Sequence, residues 1–334
     1  MKFSIIVPAY NVDKFINNTI NSVINQTYSH WEMIIINDGS TNNSLEILNN
    51  IALNEKRIKI INQENMGPLL ARENGIKNSS GDYIMFLDAD DFYDYNTLEI
   101  IRETILIENP DLILFGANKV NVNGDFLHSI KHIYGSNQEV LVLNKEEVLM
   151  DFLKTNKLNN VAFKVIKRVV LIKDEDQYYK YGRLIQTEDR LKSLPMIYYS
   201  DKIVYIDKKL YNYRTNPSST SQNYSLKNFI DSLKCETIIE KFLLSNNLDY
   251  KYLEASYNQF IYYSLGGYLR LIGSNKKTKE EKREALKLIN QSELFRKAKP
   301  YLKGKNKYIY KLIKKERMFI LDILSIFNKR RIVL

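Results

Sequence analysis

Over the first 117 residues, short sparsely charged apolar runs alternate with stretches of helical period. Phe3–Val7, Met33–Ile36, Ile58–Ile61, Tyr83–Leu87 and Leu112–Phe115 read as strands. Between them, Phe15, Ile16, Thr19, Ile20, Val23 and Ile24 share one helical face, as do Leu45, Leu48 and Ala52. Leu69–Lys77 and Thr97–Glu108 complete the set, the latter stopped before Pro110. Such alternation predicts an α/β fold with a mostly parallel sheet covered on both faces. Ligands of such sheets bind beyond the carboxyl ends of the strands. That rule selects Pro8-Ala9-Tyr10, Asn37-Asp38-Gly39-Ser40 and Asp88-Ala89-Asp90-Asp91.

The pattern after Asn118 is less regular, with turns at Gly124 and Gly135, a helix over Lys145–Lys154, and short strands at Lys202–Ile206 and Lys209–Tyr213. From Leu226 the chain reads as helical and Tyr-rich, with a charged linker near Asn275–Arg283. The expected division is 1–220, itself made of halves 1–117 and 118–220, followed by a helical basic region 221–334.

Charge sharpens this division. The chain of 334 residues carries a net +10, yet Arg296–Leu334 holds thirteen Lys/Arg against Glu316 and Asp322, a net of +11. The preceding residues therefore sum to about −1. In the tail, Ile309, Leu312, Ile313, Ile320, Ile323, Leu324 and Phe327 lie near one helical face, interrupted by Lys311, Lys314, Lys315 and Arg317 and followed by Lys329-Arg330-Arg331. Residues 307–334 read either as a basic amphipathic helix on an anionic membrane surface or as a packed helix with a solvated basic face. No nucleic-acid partner is expected. The single Cys235 excludes an internal disulfide and suits a reducing cytoplasm. The apolar start is too short for a signal h-region, and no stretch approaches transmembrane length. The expected location is the cytoplasm, including the inner face of the plasma membrane. His30, His128 and His132 have no zinc-ligand spacing.

The chemistry concentrates in acids. Tyr83-Ile-Met-Phe-Leu-Asp-Ala-Asp-Asp ends an apolar run in Asp88, Asp90 and Asp91. Like charges this close repel, and a divalent cation with oxygen ligands, Mg²⁺ or Mn²⁺, resolves the conflict; so does a solvated acidic turn. Asp38 sits in a strand-to-helix turn that Asp-Gly-Ser-Thr makes well by itself. Arg72 lies one turn into the helix opened by Gly67-Pro68, within reach of Asp88, Asp90 or a phosphate, or simply solvated. Glu188 and Asp189 follow Thr187, where they suit the first turn of a helix with Thr187 as its cap.

Taken in order, these segments resemble the family 2 glycosyltransferases of bacterial surface-polysaccharide synthesis. The resemblance rests on Ser4-Ile-Ile-Val-Pro-Ala-Tyr-Asn11, Ile24-Asn-Gln-Thr-Tyr28, Asn37-Asp-Gly-Ser-Thr41, Gln63-Glu-Asn-Met-Gly-Pro68, Ala71-Arg72 and Gly81–Asp91. It is dense over 1–117, weakens to about residue 220 and fades beyond. It implies a GT-A (Rossmann-like) fold and inverting transfer of a sugar from a nucleotide diphosphosugar, expected to be a UDP-sugar, to a glycan or lipid-linked glycan acceptor of capsule, O-antigen or teichoic type. Carried over by position, Pro8, Tyr10 and Asp38 line the nucleoside pocket, with Asp38 on the base. Asp88 holds ribose or sugar hydroxyls, Asp90 ligates Mn²⁺ or Mg²⁺, and Asp189 of the Glu188-Asp189 pair is the base. Asp91 has no assigned role beyond orienting its neighbours.

Lys164, near Phe163 where the family usually has Trp, and Arg214 in Tyr211–Ser221 stand as phosphate contacts or surface cations. The family more often has Asn directly after Arg where this chain has Arg72-Glu73-Asn74. The rival readings are a sugar nucleotidyltransferase, which would carry a Gly-rich phosphate loop where Pro8-Ala9-Tyr10-Asn11 stands, and a non-catalytic nucleotide-sugar-binding protein.

Overall fold

The computed structural model describes residues 1–135, 138–216, 224–272 and 278–315. The chain divides into two compact units. The first comprises Met1–Leu149, Lys157–Ile185 and Lys192–Pro217; the second, Met150–Asn156, Gln186–Leu191 and Ser218–Leu334.

In chain order the elements up to residue 214 are β1 (Phe3–Ala9), α1 (Ile16–Ile24), β2 (Trp31–Asp38), α2 (Ser44–Asn54), β3 (Ile58–Gln63), α3 (Pro68–Lys77), β4 (Tyr83–Phe86), β5 (Phe92–Tyr93), α4 (Thr97–Glu108), β6 (Leu112–Val120), β7 (Phe126–Ser129), β8 (Val140–Leu143), α5 (Lys145–Lys154), β9 (Lys164–Lys167), α6 (Arg168–Leu171), α7 (Glu188–Tyr199) and β10 (Ile203–Arg214). The strands form one sheet in the order β3-β2-β1-β4-β9-β6-β10-β5, with β7 on β6 and β8 on β10. β1 pairs in parallel with β2 and β4, β2 with β3, and β6 with β10. β9 is antiparallel to both its neighbours, so it sits as a reversed strand inside an otherwise parallel core.

The five strands expected from apolar runs are all present. β1 and β2 are buried almost throughout, as strands covered on both faces should be. One side of β1 contributes Phe3, Ile5, Val7 and Ala9 to the main core with α1, α4 and β10. The other side meets α3 at close range. A Cβ on Gly75 would lie 2.3 Å from Ile6 Cγ2, so only glycine lets the helix approach this closely. The two short strands expected at Lys202–Ile206 and Lys209–Tyr213 are one strand, β10, whose pairing with β6 is irregular between Ile206 and Tyr211.

The second unit is helical, built on α8 (Leu226–Ser245), α9 (Tyr250–Ile272), α10 (Lys279–Gln291), α11 (Glu293–Ala298) and α12 (Gly304–Lys314). Phe260, Tyr268, Leu286, Phe295 and Ile313 are among the residues of its core. The linker expected near Asn275–Arg283 is helical from Lys279 on, because Thr278 and Glu281 form a capping box; residues 275–277 lie outside the described residues. Ile309, Leu312 and Ile313, expected on the apolar face of the amphipathic tail, are buried in this core. Ile320, Ile323, Leu324 and Phe327 lie outside the described residues. Among the described residues, no helix is long and apolar enough to cross a membrane.

Candidate functional site

At the carboxyl ends of β1 and β2, three loops are tied together. Asn11 donates its backbone N–H to Ser40 Oγ (3.1 Å) and accepts from Thr41 N at its side-chain oxygen (2.8 Å), and Val12 N donates to Ser44 Oγ (2.8 Å). Asp38, buried at the end of β2, accepts Gln63 Nε2 and Met66 N on Oδ1 and Gly67 N on Oδ2, each at 2.8 Å. Its first task is therefore to fold the loop between β3 and α3. That loop needs its glycine, since Gly67 has φ of 86° and a Cβ there would meet Leu184 O at 2.9 Å. Of the sequence candidates here, Pro8 is half-buried in β1 and Tyr10 is 45% exposed, with its ring open to a ligand.

Arg72 is not a solvated surface cation. It is 3% exposed and its Nη2 donates to Asp88 Oδ1 at 2.8 Å. Asp88 is thus partly neutralised. Asp90, half-buried, accepts Asn216 Nδ2 at 3.2 Å. Burial first, and then the Asp88 charge, raise the Asp90 carboxyl above its usual range.

Asp91, which the sequence leaves without a role, is the keystone of the turn. It is 1% exposed and takes Tyr211 Oη on Oδ2 and Arg214 N on Oδ1, both at 2.7 Å. Burial above all, then the charges of Asp90 and Asp88, push its carboxyl well up. Tyr211 Oη also accepts the backbone N–H of Asp88 (3.2 Å), and Thr19 Oγ1 donates to the carbonyls of Ala89 (2.9 Å) and Asp91 (2.7 Å). Tyr211 itself is wedged edge-on against Tyr93 and Phe163.

Arg214 completes the clamp. Its guanidinium donates to Asp90 O (2.7 Å), Val122 O (2.7 Å) and Asn18 Oδ1 (2.6 Å), between the rings of Phe15 and Phe92. Arg214 is therefore neither a surface cation nor turned outward, but a buried brace. Lys164 is likewise buried, its ammonium on the carbonyls of Leu158 (2.7 Å) and Asn160 (2.5 Å). The substitution of Glu73 after Arg72 also has a partner: Glu73 and Asp174 flank the buried Lys192 at 2.8 and 3.0 Å, while Asn74 donates to Gln63 Oε1 at 2.8 Å.

Glu188 and Asp189 occupy the first turn of α7, as expected, in the second unit. Thr187, whose carbonyl accepts the N–H of Arg190 at 3.1 Å, pairs its hydroxyl with Ser232 Oγ at 2.9 Å. Its φ of 68° is unusual for a β-branched residue and stores strain two residues before Asp189.

Among the described residues, no cluster of three or more His, Cys, Asp or Glu could hold a metal ion by protein ligands alone. Asp88 and Asp90 nonetheless offer hard oxygen donors, and with Asp88 already paired to Arg72, Asp90 is the acid with charge to offer. One carboxylate completed by phosphate and water oxygens suits Mg²⁺ and Mn²⁺, which are bound through few protein ligands at diphosphates.

Known proteins share this architecture. Residues 4–164 match glycosyl transferase family 2. The glycosyltransferase GlyA of Streptococcus pneumoniae is 28% identical over 298 residues, covering 87% of this chain and 41% of GlyA. The putative glycosyltransferase EpsH of Bacillus subtilis is 28% identical over 245 residues, covering 73% of this chain and 70% of EpsH. The chain thus spans less than half the length of the pneumococcal relative. The crystal structure of S. aureus TarS 1–349 in complex with UDP-GlcNAc has a TM-score of 0.65 at 21% identity, covering 97% of this chain and 89% of that one. The shared fold is the GT-A-like one implied by the sequence resemblance. Residues 4–164, just under half of the chain, thus carry a glycosyl transferase family 2 domain.

Proposed function

We propose that this chain is an inverting glycosyltransferase. It moves one sugar from a nucleotide diphosphosugar, a UDP-sugar, to a hydroxyl of a cell-surface glycan precursor of capsule, O-antigen or teichoic type. The observation that carries this reading is the placing of Asp38 at the carboxyl end of β2 and of Asp88 and Asp90 just beyond β4, on either side of β1, with Asp88 held by Arg72 of α3 at 2.8 Å. The structural likeness to TarS bound to UDP-GlcNAc and to UDP supports a uridine nucleotide as the donor's carrier.

In this reading Pro8 and Tyr10 line the nucleoside pocket. Asp38 has three N–H groups on its two oxygens and retains acceptor capacity for a base N–H. Asp88, fixed by Arg72, accepts donor hydroxyls. Asp90 would hold Mg²⁺ or Mn²⁺, which would neutralise the departing diphosphate and so stabilise the leaving group. Asp189 takes the proton of the attacking hydroxyl. That role is supported by its place in the family-like Glu188-Asp189 pair.

The family match favours this reading over a nucleotidyltransferase. A non-catalytic binding protein would have no use for Asp189. The test is release of UDP from a panel of UDP-sugars in the presence of candidate acceptors, with Mn²⁺ and with EDTA. Acceptor-dependent release from one sugar is expected. Donor binding without release under any condition would overturn catalysis, and release unaffected by EDTA would overturn the role of Asp90.

A further inference from the structure

Of the apolar face of the basic tail, the part expected to meet a membrane, the described residues are already covered. Ile309, Leu312 and Ile313 are buried in the helical core, so α12 shows solvent its opposite face. That face is strongly basic. Lys303, Lys305, Lys307, Lys311, Lys314 and Lys315 are exposed, and the sequence from Lys303 to Lys315 contains no acid. Lys307, Lys311 and Lys314 follow one another at helical spacing. From Lys303 to Lys315 the line extends roughly 18 Å at the helical rise per residue.

Among the described residues, no acid neutralises these lysines. The ion pairs nearby belong to Arg296 and Lys297, which use Glu293 and Glu240. No other described residue pairs with the α12 lysines. Like charges one turn apart, such as Lys307–Lys311 and Lys311–Lys315, weaken a helix. The fold carries this cost on an exposed face. Tyr308, 55% exposed among the lysines, is a side chain suited to the headgroup layer.

We propose that the lysine face of α12 docks this chain on an anionic lipid surface, by charge alone and without apolar insertion. A nucleic acid offers the same charge, but the lysines lie along the outside of a single helix rather than around a groove. A plane of anionic headgroups meets all of the line at once.

The test is sedimentation of the full chain with vesicles of phosphatidylcholine, alone and mixed with phosphatidylglycerol. Binding is expected only with phosphatidylglycerol at low salt, with release at about 0.5 M NaCl as the screening length shrinks. Each lysine near such a surface is worth about fivefold in affinity, so replacing Lys307, Lys311 and Lys314 together by Glu, which removes three attractions and adds three repulsions, should weaken binding by well over about 100-fold. The same three changed to Gln should give an intermediate loss with an unchanged thermal midpoint, which separates lost docking from lost folding. The proposal is overturned if wild type stays in the supernatant, binds phosphatidylcholine equally, or resists salt. It is overturned too if the Glu variant binds like wild type, or if single-stranded DNA is bound more tightly than the anionic vesicles.

Discussion

Asp90 and Asp91 are adjacent in sequence and both acidic, yet the structure assigns them opposite effects on stability. Asp91 supplies two buried acceptors, to Tyr211 Oη and Arg214 N, both at 2.7 Å. In Asp91→Asn a single carbonyl oxygen serves one of these donors, and the amide N–H₂ faces the other. One buried donor left without an acceptor costs about 1–3 kcal/mol. For a unit of this size that lowers the thermal midpoint by about 3–10 °C. Asp90→Asn removes a half-buried charge that burial and Asp88 both disfavour, and gives up one bond of 3.2 Å from Asn216. Its midpoint should stay within about 2 °C of wild type or rise, as for substitutions that break no buried network. The assay is thermal unfolding followed by circular dichroism at pH 7, with UDP release measured on the same preparations. Transfer should fall in both variants, but only Asp91→Asn should lose stability. If Asp90→Asn melts as early as Asp91→Asn, or if Asp91→Asn is silent in melting, the division of labour argued here is wrong.

Other outcomes follow from single contacts. Burial opposes the Glu32 charge, but hydrogen bonds from Lys2, Ser4 and Ser80 outweigh it and bring the carboxyl from 4.5 to about 2. Its contribution is therefore full above pH 4.5 and lost as pH falls toward 2, so the stability gap between wild type and Glu32→Gln should close across that window; a gap constant with pH would refute the argument. Gly75→Ala places a Cβ 2.3 Å from Ile6 Cγ2 and should cost about 1–3 kcal/mol in urea unfolding, whereas a neutral result would mean that α3 can lift off β1 freely. Asp189→Asn should lower transfer by about 100-fold or more while UDP affinity is kept, and unchanged turnover would remove it as the base.

The sheet's parallel core was legible because its strands are buried on both faces and leave uninterrupted apolar runs. β9 was not, since Lys164-Val165-Ile166-Lys167 is four residues long with a lysine at each end. Its identity as a strand comes from pairing with β4 and β6, not from local pattern. The same distinction runs through the site. The motif positions at Asp38, Asp88 and Asp90 were visible as residue types at strand ends, and Arg72 as a cation one turn into a helix. The job of Asp91 was hidden because its partners, Tyr211 and Arg214, lie 120 or more residues later. Lys164 and Arg214 were open between phosphate contact and surface cation because sequence does not report burial. In the structure both heads are tied to backbone carbonyls. The apolar stripe of the tail was correctly periodic, but periodicity says that a face is covered without saying by what; for Ile309, Leu312 and Ile313 the cover is the chain's own core.

In the proposed function, the carboxyl ends of β1, β2 and β4 hold a nucleotide diphosphate. Calorimetric titration of UDP into the full chain, with Mn²⁺ and again with EDTA, addresses it most directly. The account predicts saturable binding in the micromolar range with Mn²⁺, weakened by about tenfold or more on chelation. No heat of binding at millimolar UDP in either condition would contradict it.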